Sequence, residues 1–274
     1  MTLVVPTALG DVAVHLHGRD PSTAPGLLLL HANPGDARDF DQVVPDLSRD
    51  HAVAVLDWPG FGESTVGDPH AVTAVGLVDV AEQVLDELAS RGFDRLAVIG
   101  NSVGGFVAMR LAERRREVAA VVLVNPAGFA PPNPPMRAFC SVMAKPSFAR
   151  RAVRPLARLY LGKRSADGVR AAYLRVRELR ADQRRLAVYC SLWQSFADPR
   201  VYLGSARVAT DVPVQVLWGM RDVINPYPLN KRALSVALPD AAVVRLPAAH
   251  EVFAERPELF LARVRPFLAA LTGV

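Results

Sequence analysis

The sequence predicts an α/β fold: a mostly parallel sheet covered by helices on both faces, with one helical insert. Three observations lead there. Short apolar runs rich in β-branched residues alternate with segments of helical periodicity, the pattern of parallel strands buried on both sides. These runs end repeatedly in polar, glycine-bearing motifs, and in such sheets the site lies at the carboxyl ends of the strands. From about 137 to 208 the strand signal stops and only helical segments remain.

The elements follow in order. Residues 3–5 and 12–17 read as two short strands around Gly10-Asp11, an antiparallel start. Gly26 to Leu30 is a buried strand ending in His31-Ala32-Asn33-Pro34-Gly35, and a helical segment runs from about Phe40 to Leu47. Ala52 to Leu56 is the next buried strand, ending in DWPGFGES at 57–64. Over 72–91, Val78, Ala81, Leu85 and Leu88 repeat at helical spacing opposite Glu82, Asp86 and Glu87. Leu96 to Ile99 is a strand, Val118 to Val124 another, ending at Asn125-Pro126. The pattern resumes with strands Val214 to Trp218 and Ala242 to Leu246, separated by a helix over about 227–238. A closing helix from about Pro257 carries Phe260, Val264, Phe267 and Leu271 on one face, and Pro266 is expected to kink it. The core is thus expected at 1–126 and 209–274, and residues 127–208, entered through Pro131-Pro132-Asn133-Pro134-Pro135, form a helical cap over the strand ends.

Length and composition bound the function. A chain of 274 residues with 51% hydrophobic content can bury a large core and is not disordered. The net charge of +5 is unevenly placed: residues 137–208 hold fourteen Arg and two Lys against three Asp and one Glu, so the remainder is acidic. That distribution reads as a solvated basic cap, with attraction of acidic substrates as the sharper alternative, and not as a nucleic-acid surface. The two cysteines, Cys140 and Cys190, have no metal spacing and read as reduced packing residues. No apolar run is long enough to span a bilayer, and the N-terminus has no basic start followed by an apolar core. A cytoplasmic monomer or homodimer acting on a small molecule is the expectation, without nucleic acid, metal or cofactor.

One stretch organises the chemistry. RLAVIGNSVGGFVAMRLAE, from Arg95 to Glu113, passes from strand to helix with Ser102 at the corner and glycines two residues either side. A serine on so sharp a turn projects its hydroxyl out of the sheet, and the flanking positions must be small to avoid the neighbouring elements. The following helix aims its N–H groups and positive dipole end at the site. A serine hydroxyl needs a base, histidine serves best near neutral pH, and the histidine needs a carboxylate to fix its tautomer. Asp222 and His250 lie just past the last two strands, in the order Ser102, Asp222, His250 that this layout requires. His31 also follows a strand, His15 and His17 lie on an early strand, and His51 and His70 read as loop residues. Asp57, beside Pro59, Gly60 and Gly62, reads as a structural loop acid. An oxyanion hole needs two N–H donors, for which Val103 and Asn33 are the candidates. Trp58, Phe106, Trp193 and Phe253 are candidates to line the substrate pocket.

HANPG at 31–35, DWPGFGES at 57–64, GNSVGG at 100–105, GMRD at 219–222 and the His250 segment together resemble the α/β-hydrolase-fold superfamily, capped single-domain type, over essentially all of the chain outside 127–208. In one place the chain departs: members commonly carry His-Gly at the oxyanion loop, where this chain has His31-Ala32, and alanine disfavours positive φ. The resemblance implies a serine hydrolase. Haloalkane dehalogenases and soluble epoxide hydrolases use an aspartate at the elbow, where Ser102 stands here. The elbow resembles those of esterases and of C–C hydrolases acting on meta-cleavage products. Carboxylic ester hydrolysis of a small to medium, largely apolar substrate is the first expectation, C–C hydrolysis the second. Lyase or cyclase chemistry on the same fold is a further alternative, and the Ser-Asp-His set argues against a pure binding module.

Overall fold

The computed structural model describes residues 1–163 and 165–272, with side chains to residue 270. Eight strands form one sheet in the order β1-β2-β4-β3-β5-β6-β7-β8: β1 (Thr2–Thr7), β2 (Gly10–Gly18), β3 (Gly26–Leu30), β4 (Ala52–Leu56), β5 (Leu96–Asn101), β6 (Val118–Val124), β7 (Val214–Gly219) and β8 (Ala242–Leu246). β2 is antiparallel to both β1 and β4, and every later pairing is parallel.

Strand alternation divides the core between two faces. Leu28, Leu30, Val98 and Leu123 point to the side covered by α2 (Gly76–Ala89), α3 (Val103–Arg114) and α8 (Tyr227–Ala237). Leu27, Leu29, Ile99 and Val122 point to the other, covered by α1 (Val44–Leu47) and α10 (Pro257–Thr272) through Val44, Leu47, Phe260 and Val264. Val78, Ala81, Leu85 and Leu88 are buried as the periodicity requires. Leu271, expected on the inner face of α10, lies outside the described side chains.

Two expectations are corrected in detail. The helix expected over 72–91 begins at Gly76, because the Thr73 hydroxyl accepts the Gly76 N–H at 3.0 Å and stops the helix there. The segment from Phe40 to Leu47 splits into a 3-10 turn, Ala37–Phe40, capped by Asp36, and the short α1. α10 runs through Pro266 without ending.

Between β6 and β7 stand four helices, α4 (Pro134–Met143), α5 (Pro146–Tyr160), α6 (Asp167–Ala181) and α7 (Gln183–Ser195). α4 starts three residues earlier than expected, since proline is tolerated in a first turn and Asn133 accepts the Met136 N–H. Part of the basic charge fastens this insert to the core. Arg184 donates to the Gly67 carbonyl at 2.7 Å, Arg185 to the Gly62 carbonyl at 2.9 Å, and Arg175 pairs with Asp39. Among the described residues, no helix is long and apolar enough to cross a membrane.

Candidate active site

The sheet delivers the site from three parallel strands and the turns that follow them. Ser102 follows β5 with φ 53° and ψ −115°, a left-handed conformation that costs a non-glycine residue of the order of 1–3 kcal/mol. The turn is held on both sides: the Ser102 N–H donates to the Val124 carbonyl at 3.1 Å, and the Ser102 carbonyl accepts from Ala127 at 2.9 Å and Gly105 at 3.0 Å. The elbow glycines are steric requirements. A Cβ on Gly100 would stand 2.3 Å from the Gly104 carbonyl oxygen, and one on Gly104 would stand 2.3 Å from that of Leu30. Val103 is in the first turn of α3, where N–H groups lack intrahelical acceptors.

Asp222 follows β7 and His250 follows β8. His250 Nδ1 lies 2.6 Å from Asp222 Oδ2, with both side chains buried. The other carboxylate oxygen accepts the N–H groups of Ile224 at 2.8 Å and Asn225 at 3.0 Å. Burial opposes the charge of Asp222, but the facing imidazole and these hydrogen bonds outweigh it and hold the carboxyl below its usual range. Ser102 and His250 line one cavity of about 420 Å³ of empty space, together with Asn33, Tyr160, Tyr189 and Trp193. A neighbouring, largely apolar cavity of about 590 Å³ also opens on Ser102 and is walled by Ala130, Met136, Phe139, Trp193 and Ile224.

Three positioning residues have no separate signal in the sequence. Asn125, left-handed at φ 42°, donates from Nδ2 to Asp222 Oδ2 at 2.6 Å and accepts the Gly219 N–H at 2.9 Å. Asn101, the middle letter of the Gly-Asn-Ser elbow, donates to the His250 carbonyl at 3.2 Å and to that of Val124 at 2.8 Å. Glu255 accepts the Ala249 N–H at 2.7 Å and Arg221 at 2.6 Å, fixing the loop that carries His250. A polar residue at a strand end was the available hint for the two asparagines.

The loop after β3 is clamped from beneath. His31 Nδ1 donates to the Ala32 carbonyl at 2.7 Å, while Nε2 accepts the Trp58 N–H at 2.9 Å, which sets the tautomer. Ala32 is not left-handed: among the described non-glycine residues, only Ser102 and Asn125 have positive φ. The Asn33 side chain donates to the Tyr189 carbonyl of α7 at 3.2 Å, so it ties the loop to the insert, and its Oδ1 has no partner. Asp57 accepts from Ala37 at 2.7 Å, Glu63 at 2.8 Å and His15 at 3.0 Å, the contacts of a loop-holding acid.

Of the four aromatic residues expected in the pocket, Trp193 lines both cavities. The other three are corrected to core residues. Trp58 is fully buried, its indole N–H spent on the His31 carbonyl at 2.9 Å. Phe106, on α3, is buried in the core with Arg110 over its ring at 5.5 Å. Phe253 stacks on Phe40 at 4.4 Å on the opposite face of the sheet. Both cysteines are buried and free, and burial pushes each thiol up to about 11, so neither is a ready nucleophile.

A strained serine at a strand-to-helix corner thus shares a cavity with a carboxylate-held histidine. The family model for the alpha/beta hydrolase fold matches residues 25–257, and the chain belongs to that family. It is similar to haloalkane dehalogenase 2 of Mycobacterium tuberculosis, 29% identical over 265 residues, covering 91% of this chain and 90% of the relative. Its structure resembles an enol-lactonase from Burkholderia xenovorans, with TM-score 0.78 and 20% identity over 96% of this chain and 99% of the other. It also resembles a thermophilic esterase from Thermogutta terrifontis, with TM-score 0.76 and 21% identity over 99% of each chain.

Proposed function

We propose that this protein is a serine hydrolase that cleaves carboxylic esters of small to medium, largely apolar acids through a covalent acyl-enzyme. The observation that carries the reading is the His250–Asp222 contact of 2.6 Å, placed in the cavity that Ser102 enters from its left-handed turn. His250 takes the Ser102 proton as the hydroxyl oxygen attacks the ester carbonyl. The oxyanion is held by the Val103 N–H and by a donor of the loop after β3, for which Asn33 is the candidate. His250 then gives the proton to the leaving alcohol. Water, deprotonated by His250, cleaves the acyl-Ser102 ester and frees the acid. Asp222 keeps the imidazole oriented throughout. The four-helix insert serves as the cap, and Trp193 and the apolar cavity receive the acyl chain.

The likeness to a haloalkane dehalogenase raises a second chemistry, and the elbow residue argues against it. A serine that displaced halide from a saturated carbon would become an ether, which has no carbonyl for water to attack. Ser102 therefore suits acyl carbons.

The test is hydrolysis of p-nitrophenyl esters of increasing acyl length by the wild type and by Ser102→Ala, with fluorophosphonate labelling alongside. Turnover that falls at least about a thousandfold in the variant supports the reading. Labelling of Ser102 without turnover of any ester removes esters from it, and no labelling at all removes the serine mechanism.

A further inference from the structure

Tyr160, the last residue of α5, is the point where the candidate active site meets a second, polar cavity. Its ring stands edge-on to His250 at 5.9 Å, and its carbonyl accepts the His250 N–H at 3.0 Å. With Pro34 it lines both the cavity of Ser102 and His250 and a neighbouring one of about 400 Å³ bounded by Asp36, Asp39, Arg175, Arg185 and Glu251. Tyr160 is 7% exposed and Glu251 1%, yet the Tyr160 hydroxyl and Glu251 Oε2 have no hydrogen-bond partner. Arg175 Nε, on the same cavity, also has no hydrogen-bond partner. Buried polar atoms are nearly always paired, so three such atoms around one cavity call for a ligand that pairs them.

The chemistry of that ligand follows from what the wall offers. Asp36 is paired with Arg38, and Asp39 with Arg175. Burial pushes the Tyr160 phenol well above its usual range, and the Glu251 carboxyl likewise, with Asp39 and Asp36 adding repulsion and Arg175 only partly offsetting it. Both therefore stand as O–H donors. The charge of Arg175 is met by Asp39 while its Nε–H is left without a hydrogen bond, so the unpartnered groups are hydrogen-bond donors beside paired ions, which suits an uncharged oxygen acceptor. The proposed mechanism fixes which end of the substrate bears it: His250 protonates the leaving alcohol, so the alcohol lies on the His250 and Tyr160 side and the acyl chain in the apolar cavity.

We propose that Tyr160 and Glu251 form a subsite for an uncharged oxygen (ether, hydroxyl or carbonyl) carried on the alcohol portion of the substrate. This rests on the ester hydrolase reading for its orientation, and its test is arranged to separate the two. In the Ser102→Ala protein, calorimetry compares hexyl butanoate with isosteres in which an ether oxygen replaces successive methylenes beyond the second alcohol carbon. One of the ethers is expected to bind about tenfold tighter than the all-carbon ester, the effect of one or two recovered hydrogen bonds. Tyr160→Phe in that background is expected to abolish the preference, and Glu251→Gln, which keeps a donor in place, to retain it. With Ser102 present, the ratio of kcat/KM for the two esters follows the same order. No preference at any ether position shows that the two groups hold solvent only and overturns the subsite. A Tyr160→Phe loss equal for both esters makes Tyr160 a packing residue and overturns it equally. A binding preference without turnover of either ester supports the subsite while the hydrolase reading fails.

Discussion

Asn125 and His250 meet on the same oxygen: Nδ2 of the first and Nδ1 of the second each lie 2.6 Å from Asp222 Oδ2. Asp222 is thus held from two sides, by His250 and by a residue at the end of β6, the strand between β5 and β7. Asn125→Asp would place a second carboxylate against that oxygen. The added negative charge raises the pH at which Asp222 and the imidazole bind a proton. We expect kcat/KM about tenfold lower at pH 7, with its acid limb moved to higher pH. A pH profile of the purified variant checks this, and an unmoved acid limb would sink the orienting role.

On the proposed reading, the apolar cavity is expected to set acyl length. Ala130 lies on its wall. Ala130→Trp should fill it, lowering kcat/KM for long acyl esters by about tenfold or more relative to acetyl, on the scale of one or two lost methylene contacts. Fluorophosphonate labelling of Ser102 should persist. A uniform drop across all chain lengths would place the acyl chain elsewhere.

Gly104 has no room for a methyl group, since its Cβ would stand 2.3 Å from backbone oxygen, which cannot swing away. Gly104→Ala should cost about 3 kcal/mol or more by displacing α3 from β3. Urea unfolding measures this; a midpoint within error of the wild type would refute the tight packing of the elbow.

Glu251 carries a stability signature. Its carboxyl is raised in the folded state by burial and by Asp39 and Asp36, against Arg175. Between the unfolded and folded values the native protein holds a proton that the unfolded chain releases, so stability falls as pH rises above the ordinary glutamate range. Glu251→Gln removes that slope. Relative to the wild type, the variant should gain stability steadily from about pH 5 toward pH 8, followed by denaturation midpoints at each pH. Parallel curves would show that Glu251 is ionised in the fold.

What the sequence revealed divides by range. β3, β4 and β6 begin and end where their apolar runs do, because a strand buried on both faces must be apolar throughout; β8 also keeps its expected bounds, although it is a largely exposed edge strand that carries Arg245. The strand-end positions of Ser102, Asp222 and His250 were legible because each sits within a local motif. Trp58, Phe106 and Phe253 were misplaced because an aromatic ring beside a motif can turn toward the cavity or into the core, and tertiary packing decides. Asn101, Asn125 and Glu255 were silent for a related reason: Asn101 finds His250 149 residues away and Asn125 finds Asp222 97 residues away, and no local window contains both partners. The arginines of the insert read as solvated charge, while two, Arg184 and Arg185, prove to be tethers to backbone carbonyls of the core.

The order of strands along the sheet has a consequence for biogenesis. Ser102 is synthesised with the first half of the chain, but His250, its proposed base, follows β8, an edge strand, after the whole insert has emerged. If Ser102 acts as proposed, a nascent chain that has formed β3 through β6 holds it without His250, and reactivity is expected only once β7 and β8 have docked. Onset of fluorophosphonate reactivity during refolding would therefore time the completion of the sheet.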